Sequence, residues 1–129
     1  MTSRPERLNP NLIVGRKAQV VLEVVDTTED LLALQFVFED KTSALFTIWT
    51  DWTLVLDTRP DDGVPDYFWP PENHAQRPLG IKVPQGGLEI LSVAARTNDI
   101  GELTGADITA GPHLIALRIF AGDLALTIE

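Results

Sequence analysis

The stretch Ala33-Leu34-Gln35-Phe36-Val37-Phe38-Glu39-Asp40, followed after a short polar turn by Ala44-Leu45-Phe46-Thr47-Ile48, decides the fold. Leu32, Leu34, Phe36 and Phe38 recur every second residue, the period at which a strand returns side chains to one face. That phase is expected to point inward. Asp40-Lys41-Thr42-Ser43 supplies the turn, so the two runs read as a β-hairpin. The plan returns near the end of the chain, where Ala116-Leu117-Arg118-Ile119-Phe120-Ala121-Gly122-Asp123 runs into Leu124-Ala125-Leu126-Thr127-Ile128, again closing on Thr-Ile. Either the chain holds two duplicated halves, or two β-meanders with similar turns have come to look alike; spacing leaves both open.

Working outward, Arg16-Lys17-Ala18-Gln19-Val20-Val21-Leu22-Glu23-Val24-Val25 is rich in β-branched residues in its second half, as a strand prefers. Beyond the first hairpin, Trp52, Leu54 and Leu56 share one phase, and short connections make the first half an antiparallel meander. Residues 58–87 carry Pro60, Pro65, Pro70, Pro71, Pro78 and Pro84, which remove ladder donors, so a long loop is expected there. Within it, a helical turn over 72–76 and a short strand over 79–83 are the expected regular elements. Residues 88–96 suit strand or helix by periodicity, with strand the preferred reading, and 103–109 read as a further strand. The expectation is therefore a single all-β domain over residues 1–129, of about nine mainly antiparallel strands in a meander-built sheet or sandwich, with at most one short helix. Its parts are an N-terminal arm (1–11), a first half (12–57), a Pro-rich loop (58–87) and a second half (88–129).

Composition narrows the function classes. A length of 129 residues suffices for one core, and 44% hydrophobic residues is ordinary for a globular protein. The chain has no cysteine, which excludes disulfides, thiolate zinc sites and cysteine nucleophiles and fits a reducing, cytoplasmic setting. Residues 1–10 lack an apolar signal-peptide core, and no apolar run approaches the roughly 20 residues of a membrane helix. The net charge of −9 argues against direct nucleic-acid binding and suits a basic partner.

The densest chemistry lies in 57–74, which holds Asp57, Asp61, Asp62, Asp66 and Glu72 beside Tyr67, Phe68, Trp69 and His74. Prolines stiffen such a loop, lowering the entropy lost on binding, and aromatic side chains are frequent interface anchors. The competing reading has Phe68 and Trp69 folded back over the sheet with the acids merely solvated. Asp61, Asp62, Asp66, Tyr67, Trp69 and Glu72 form the candidate partner-binding set. No metal or cofactor is expected: 61–66 lacks the spacing and terminal Glu of an EF-hand loop, Glu72 and His74 make no site alone, and no Gly-rich phosphate cradle occurs. No Ser and His arrangement suggests a nucleophile. Trp49 and Trp52 flank a strand junction, where one ring is expected in the core and the other near the surface. A carbohydrate platform there would need polar neighbours that the sequence does not locate.

Val14-Gly15, Leu34-Gln35-Phe36-Val37-Phe38-Glu39-Asp40 and Leu45-Phe46-Thr47-Ile48, with a second partial match at Thr104-Gly105 and 117–128, resemble an element of a group of small bacterial β-rich proteins. That element is a Leu-x-Gly-initiated strand, a Leu-x-Phe-x-Phe-x-Asp-Gly run and an apolar return strand; Lys41 stands where its glycine falls. Some of these proteins accompany polymorphic toxins as immunity proteins. The resemblance implies a non-enzymatic, acidic, immunity-protein or antitoxin type of chain that neutralises a cognate basic protein by occlusion. Two other classes stand beside it, a structural or assembly subunit forming homo-oligomers and a small carboxylate-dependent enzyme using His74.

Overall fold

A computed structural model describes residues 9–49 and 52–129; residues 1–8 of the expected arm and residues 50–51 lie outside the described residues. Nine strands follow one another: β1 (Lys17–Asp26), β2 (Leu31–Phe38), β3 (Ser43–Ile48), β4 (Leu54–Arg59), β5 (His74–Pro78), β6 (Leu88–Thr97), β7 (Leu103–Ala110), β8 (His113–Phe120) and β9 (Asp123–Ile128). They pair antiparallel in the order β4-β3-β2-β1-β6-β7-β8-β9, with β5 also on β1. The all-β expectation holds, and helical structure among the described residues is limited to two 3-10 turns, Pro10–Ile13 and Pro71–Asn73. The first was not anticipated. Asn9 caps it by accepting a hydrogen bond from the Asn11 N–H at 3.0 Å.

The two four-stranded meanders are joined along β1. Its start pairs with β6 at Lys17–Glu89 and Ala18–Leu88, while its end pairs with β5 from Leu22–Pro78 to Asp26–His74. Gly87 makes this junction possible. It sits at φ +95°, and a Cβ there would lie 2.8 Å from Gln19 Nε2 and 3.0 Å from Lys17 Cβ. Beyond the junction the meanders face one another across one core, with β9 against β2 and β3 and β4 against β7. Leu34, Phe36, Phe38, Phe46, Leu54 and Leu56 from the first pack with Ile90, Ile108, Ile115, Leu117 and Leu124 from the second. Of the inward phase read from Leu32, Leu34, Phe36 and Phe38, the last three are in the core, whereas a register shift between Val24 and Val25 puts Leu31 in place of Leu32 against it.

The second expected difference lies in 72–83. The 3-10 turn is at Pro71–Asn73 and the strand at His74–Pro78, earlier than the expected strand over 79–83. Leu79, Ile81 and Val83 keep their alternation because they pack against the core, and Leu79 donates its N–H to the Val21 carbonyl at 3.0 Å without extending into a ladder over 79–83. Alternation reported burial here, and burial without a ladder partner is not a strand.

Candidate functional site

In the first meander β2–β4 are largely buried on both faces, whereas the second meander is buried on one. Strand alternation places Ala33, Gln35, Val37, Ser43, Leu45, Thr47, Val55 and Asp57 on the face of β2–β4 turned away from the core, yet all are buried. Residues 60–78 cover them. Phe68 and Val64 pack onto Val24, Ala33 and Leu45, forming a second, smaller apolar cluster. A polar spine fixes the covering backbone: Gln35 donates through Nε2 to Ser43 Oγ at 3.0 Å and to the Gly63 carbonyl at 3.1 Å, and Ser43 Oγ donates to the Asp61 carbonyl at 2.7 Å. Gln76, carried by β5, donates to Gln35 Oε1 and to the Asp62 carbonyl, both at 2.7 Å. Buried polar groups of this kind are costly unless paired, so the pairing ties the cover to one position.

Tyr67 completes the anchorage. Its hydroxyl donates to Asp57 Oδ2 at 2.7 Å, and burial, followed by this bond to a carboxylate, pushes its ionisation far above the ordinary tyrosine range. Its ring meets Trp49 edge-on at 5.4 Å and Phe68 at 5.1 Å, and Phe68 stacks on His74 at 5.5 Å. The His74 Nδ1 lies 2.8 Å from the Pro70 carbonyl, an acceptor, so Nδ1 carries the hydrogen of that bond. Arg59 lies 3.8 Å from Asp57 and 4.0 Å from Asp66.

The candidate partner-binding residues divide accordingly. Tyr67 is a partly buried anchor of the cover. Asp61, Asp62, Asp66 and Glu72 present exposed carboxylates on its outer surface, and Trp69, between Phe68 and a cis peptide bond to Pro70, is 73% exposed. The two readings of this loop thus separate at adjacent residues, because Phe68 folds back onto the sheet and Trp69 does not.

A second concavity was not anticipated. A cleft of about 550 Å³ opens beside the cover, walled by Trp49, Trp52, Tyr67 and Phe68, floored by Leu31, Ile48 and Leu124, and edged by Asp26, Asp30 and Asp123. Trp52 is 68% exposed and does not share the buried face of Leu54 and Leu56, and Trp49 is partly buried against Tyr67 rather than in either core cluster, so neither ring is the expected core residue. Trp52 has φ +62° and lies over Gly122 in the β8–β9 turn, which brings residues from both ends of the chain together. The aromatic residues carry a sequence signal, though as two separate groups, Trp49 with Trp52 and Tyr67 with Phe68; the carboxylates come from remote turns. Asp26 accepts from Thr28 and from the Asp30 N–H, and the Thr28 side-chain bond chiefly lowers its pKa below the ordinary 3.8, so it is ionised at neutral pH.

Among the described residues no group of three His, Cys, Asp or Glu side chains is placed to hold a metal ion, and no helix is long and apolar enough to cross a membrane. No family model, curated protein or solved structure matches the chain.

Proposed function

We propose that this chain is a non-enzymatic binding protein that captures a basic protein partner and blocks it by occlusion, in the manner of an immunity protein or antitoxin. The observation that carries the reading is Trp69, a large apolar side chain 73% exposed in a covering segment whose residues 61–63 are held by Gln35, Ser43 and Gln76 and which also exposes Asp61, Asp62, Asp66 and Glu72. An aromatic anchor on a held segment loses little entropy on docking, and the carboxylates of that segment speed encounter with a cationic surface. The hairpin resemblance adds the immunity-protein form, and the net charge of −9 adds the basic partner.

The test is affinity capture from lysate of the native cell, with the wild-type chain and two variants as bait. Trp69→Ala and the triple reversal Asp61→Lys, Asp62→Lys, Asp66→Lys are expected to lose a basic polypeptide that the wild-type chain retains, and the wild-type chain is expected to inhibit that polypeptide's activity. Trp69→Ala should move unfolding free energy by no more than about 0.5 kcal/mol, as for a surface residue. Retention of the same proteins by all three baits would sink the reading.

The bare outer face of the second meander, with Phe120 76% exposed at its edge, favours one other reading, an assembly subunit. Light scattering separates the two, since a monomer supports capture of a foreign partner and a stable oligomer supports assembly.

A further inference from the structure

The cleft between the cover and the two exposed turns combines two features. Four aromatic rings, Trp49, Trp52, Tyr67 and Phe68, wall it, and three carboxylates, Asp26, Asp30 and Asp123, edge it. No Lys or Arg lines it, and among the described residues none forms an ion pair with those three acids. The similar cleft of about 530 Å³ at Phe38 is different, because Arg16 and Arg59 line it and Arg16 lies 3.9 Å over the Phe38 ring. There the protein supplies its own cation to the aromatic face. Beside the Trp49–Trp52 cleft Arg59 lies 5.9 Å from the Tyr67 ring centroid and His74 stacks on Phe68, but among the described residues no cation lies over Trp49 or Trp52, and there the position is left to a guest.

We infer that this cleft receives a lysine or arginine side chain projected by the basic partner, an inference that rests on the proposed capture function and names where its cation goes. An ammonium or guanidinium group is drawn to the negative face of an aromatic ring, most strongly to Trp, and the carboxylates add a Coulomb attraction that a neutral guest does not feel. Burying the alkyl stem against Ile48 and Leu124 uses the apolar floor, as long cationic side chains do elsewhere. Tyr67 links the cleft to the acidic cover, since it lines the one and anchors the other through Asp57.

Titration of the full chain with butylguanidinium and butylammonium chloride, which copy the two side chains, tests this directly. The three tryptophan indole N–H signals are followed by two-dimensional NMR, with sodium chloride as the ionic control and methyl glucoside as a neutral guest. Trp49 and Trp52 are expected to shift saturably while Trp69, outside the cleft, stays still. The pair Asp30→Asn with Asp123→Asn is expected to weaken binding at least about fivefold. Trp52→Gly, which suits the left-handed backbone of that position, is expected to do the same. Shifts no larger than with sodium chloride, saturable shifts with methyl glucoside, or unchanged affinity in the acid variant overturn the inference. Capture of a basic protein without guanidinium shifts overturns the cleft alone, whereas guanidinium shifts without any capture overturn the proposed function and leave a site for free organic cations.

Discussion

The two hairpins that share a sequence plan have opposite outer faces. Aligned on that plan, Leu34 and Leu117 point into the common core, and both are fully buried. Turned outward are Gln35 and Arg118, Val37 and Phe120, Leu45 and Ala125, and Thr47 and Thr127. On the first hairpin each of these is buried; on the second Arg118 is partly exposed and the other three are exposed, with Val37 at 5% and its counterpart Phe120 at 76%. One strand pattern thus serves two environments, and the difference is supplied from outside the hairpins by residues 60–78, which cover only the first. The polar outward residues reflect this. Gln35 bonds to the cover, while Arg118 crosses its own bare sheet to Asp107 at 2.8 Å, over Gly105, where a Cβ would meet the Leu117 carbonyl at 2.7 Å and the Arg118 side chain at 3.3 Å.

A charge placed at matching outward positions breaks the symmetry most severely. Leu45→Asp buries a carboxylate beneath Phe68 and Val64 and should cost more than about 4 kcal/mol of unfolding free energy, or abolish folding. Ala125→Asp enters water beside Arg118 and should change stability by no more than about 0.5 kcal/mol. Urea denaturation of the two variants reads the difference. Similar costs at both positions would mean that the cover does not shield the first hairpin.

Alternation in the sequence carried the inward half of this comparison and could not carry the outward half. Leu34, Phe36, Phe38, Leu54 and Leu56 announce a core because period two is a local signal. Gln35, Ser43 and Asp57 look like solvent-facing positions by the same rule, and only a distant segment makes them buried hydrogen-bonding groups. The candidate site is legible to the same limited degree. Composition marked the acidic and aromatic segment, but Phe68 and Trp69 are equivalent as letters, and their opposite fates depend on which one meets Val24, Ala33 and Leu45. The cleft was least legible, since Asp26, Trp52, Tyr67 and Asp123 lie on four separate connections or strand ends and no periodicity relates them.

Acid sharpens the comparison at the matched pair Gln35 and Arg118, because only one of the two polar systems is ionised. Partial burial opposes charge on Asp107, but hydrogen bonds from Arg96 and Arg118 outweigh it and hold its pKa below the ordinary 3.8. A carboxyl lowered by folding stabilises the folded chain above its unfolded pKa, and that contribution is lost as pH falls through the folded value. Asp107→Asn should therefore cost about 1 kcal/mol at neutral pH and progressively less below the ordinary carboxyl range, since both arginines are about half exposed. Gln35→Ala, which removes a neutral network, should cost a similar or larger amount that does not vary through the same acid window. Stability measured from pH 7 downwards separates them, and parallel pH curves for the two variants would remove Asp107 as the acid-sensitive element.

The smallest effect concerns the turns, where the cover no longer distinguishes the hairpins. Lys41 closes the first at φ +68°, its N–H donating to the Phe38 carbonyl at 3.1 Å, and Ala121 opens the second at φ +52°. Both are exposed, and neither is a glycine. A side chain in the left-handed region costs roughly 1–2 kcal/mol against its usual conformation, part of which glycine returns through its greater freedom in the unfolded chain. Lys41→Gly and Ala121→Gly should each stabilise the protein by about 0.5 kcal/mol, read as a higher denaturation midpoint. Equal gains place the difference between the hairpins on their faces alone, because turn strain is then the same with and without a cover. A gain at Ala121 but none at Lys41 would instead make the first turn part of the covered structure, with the Lys41 side chain held by its neighbours Glu39 and Asp62 in the adjoining cleft.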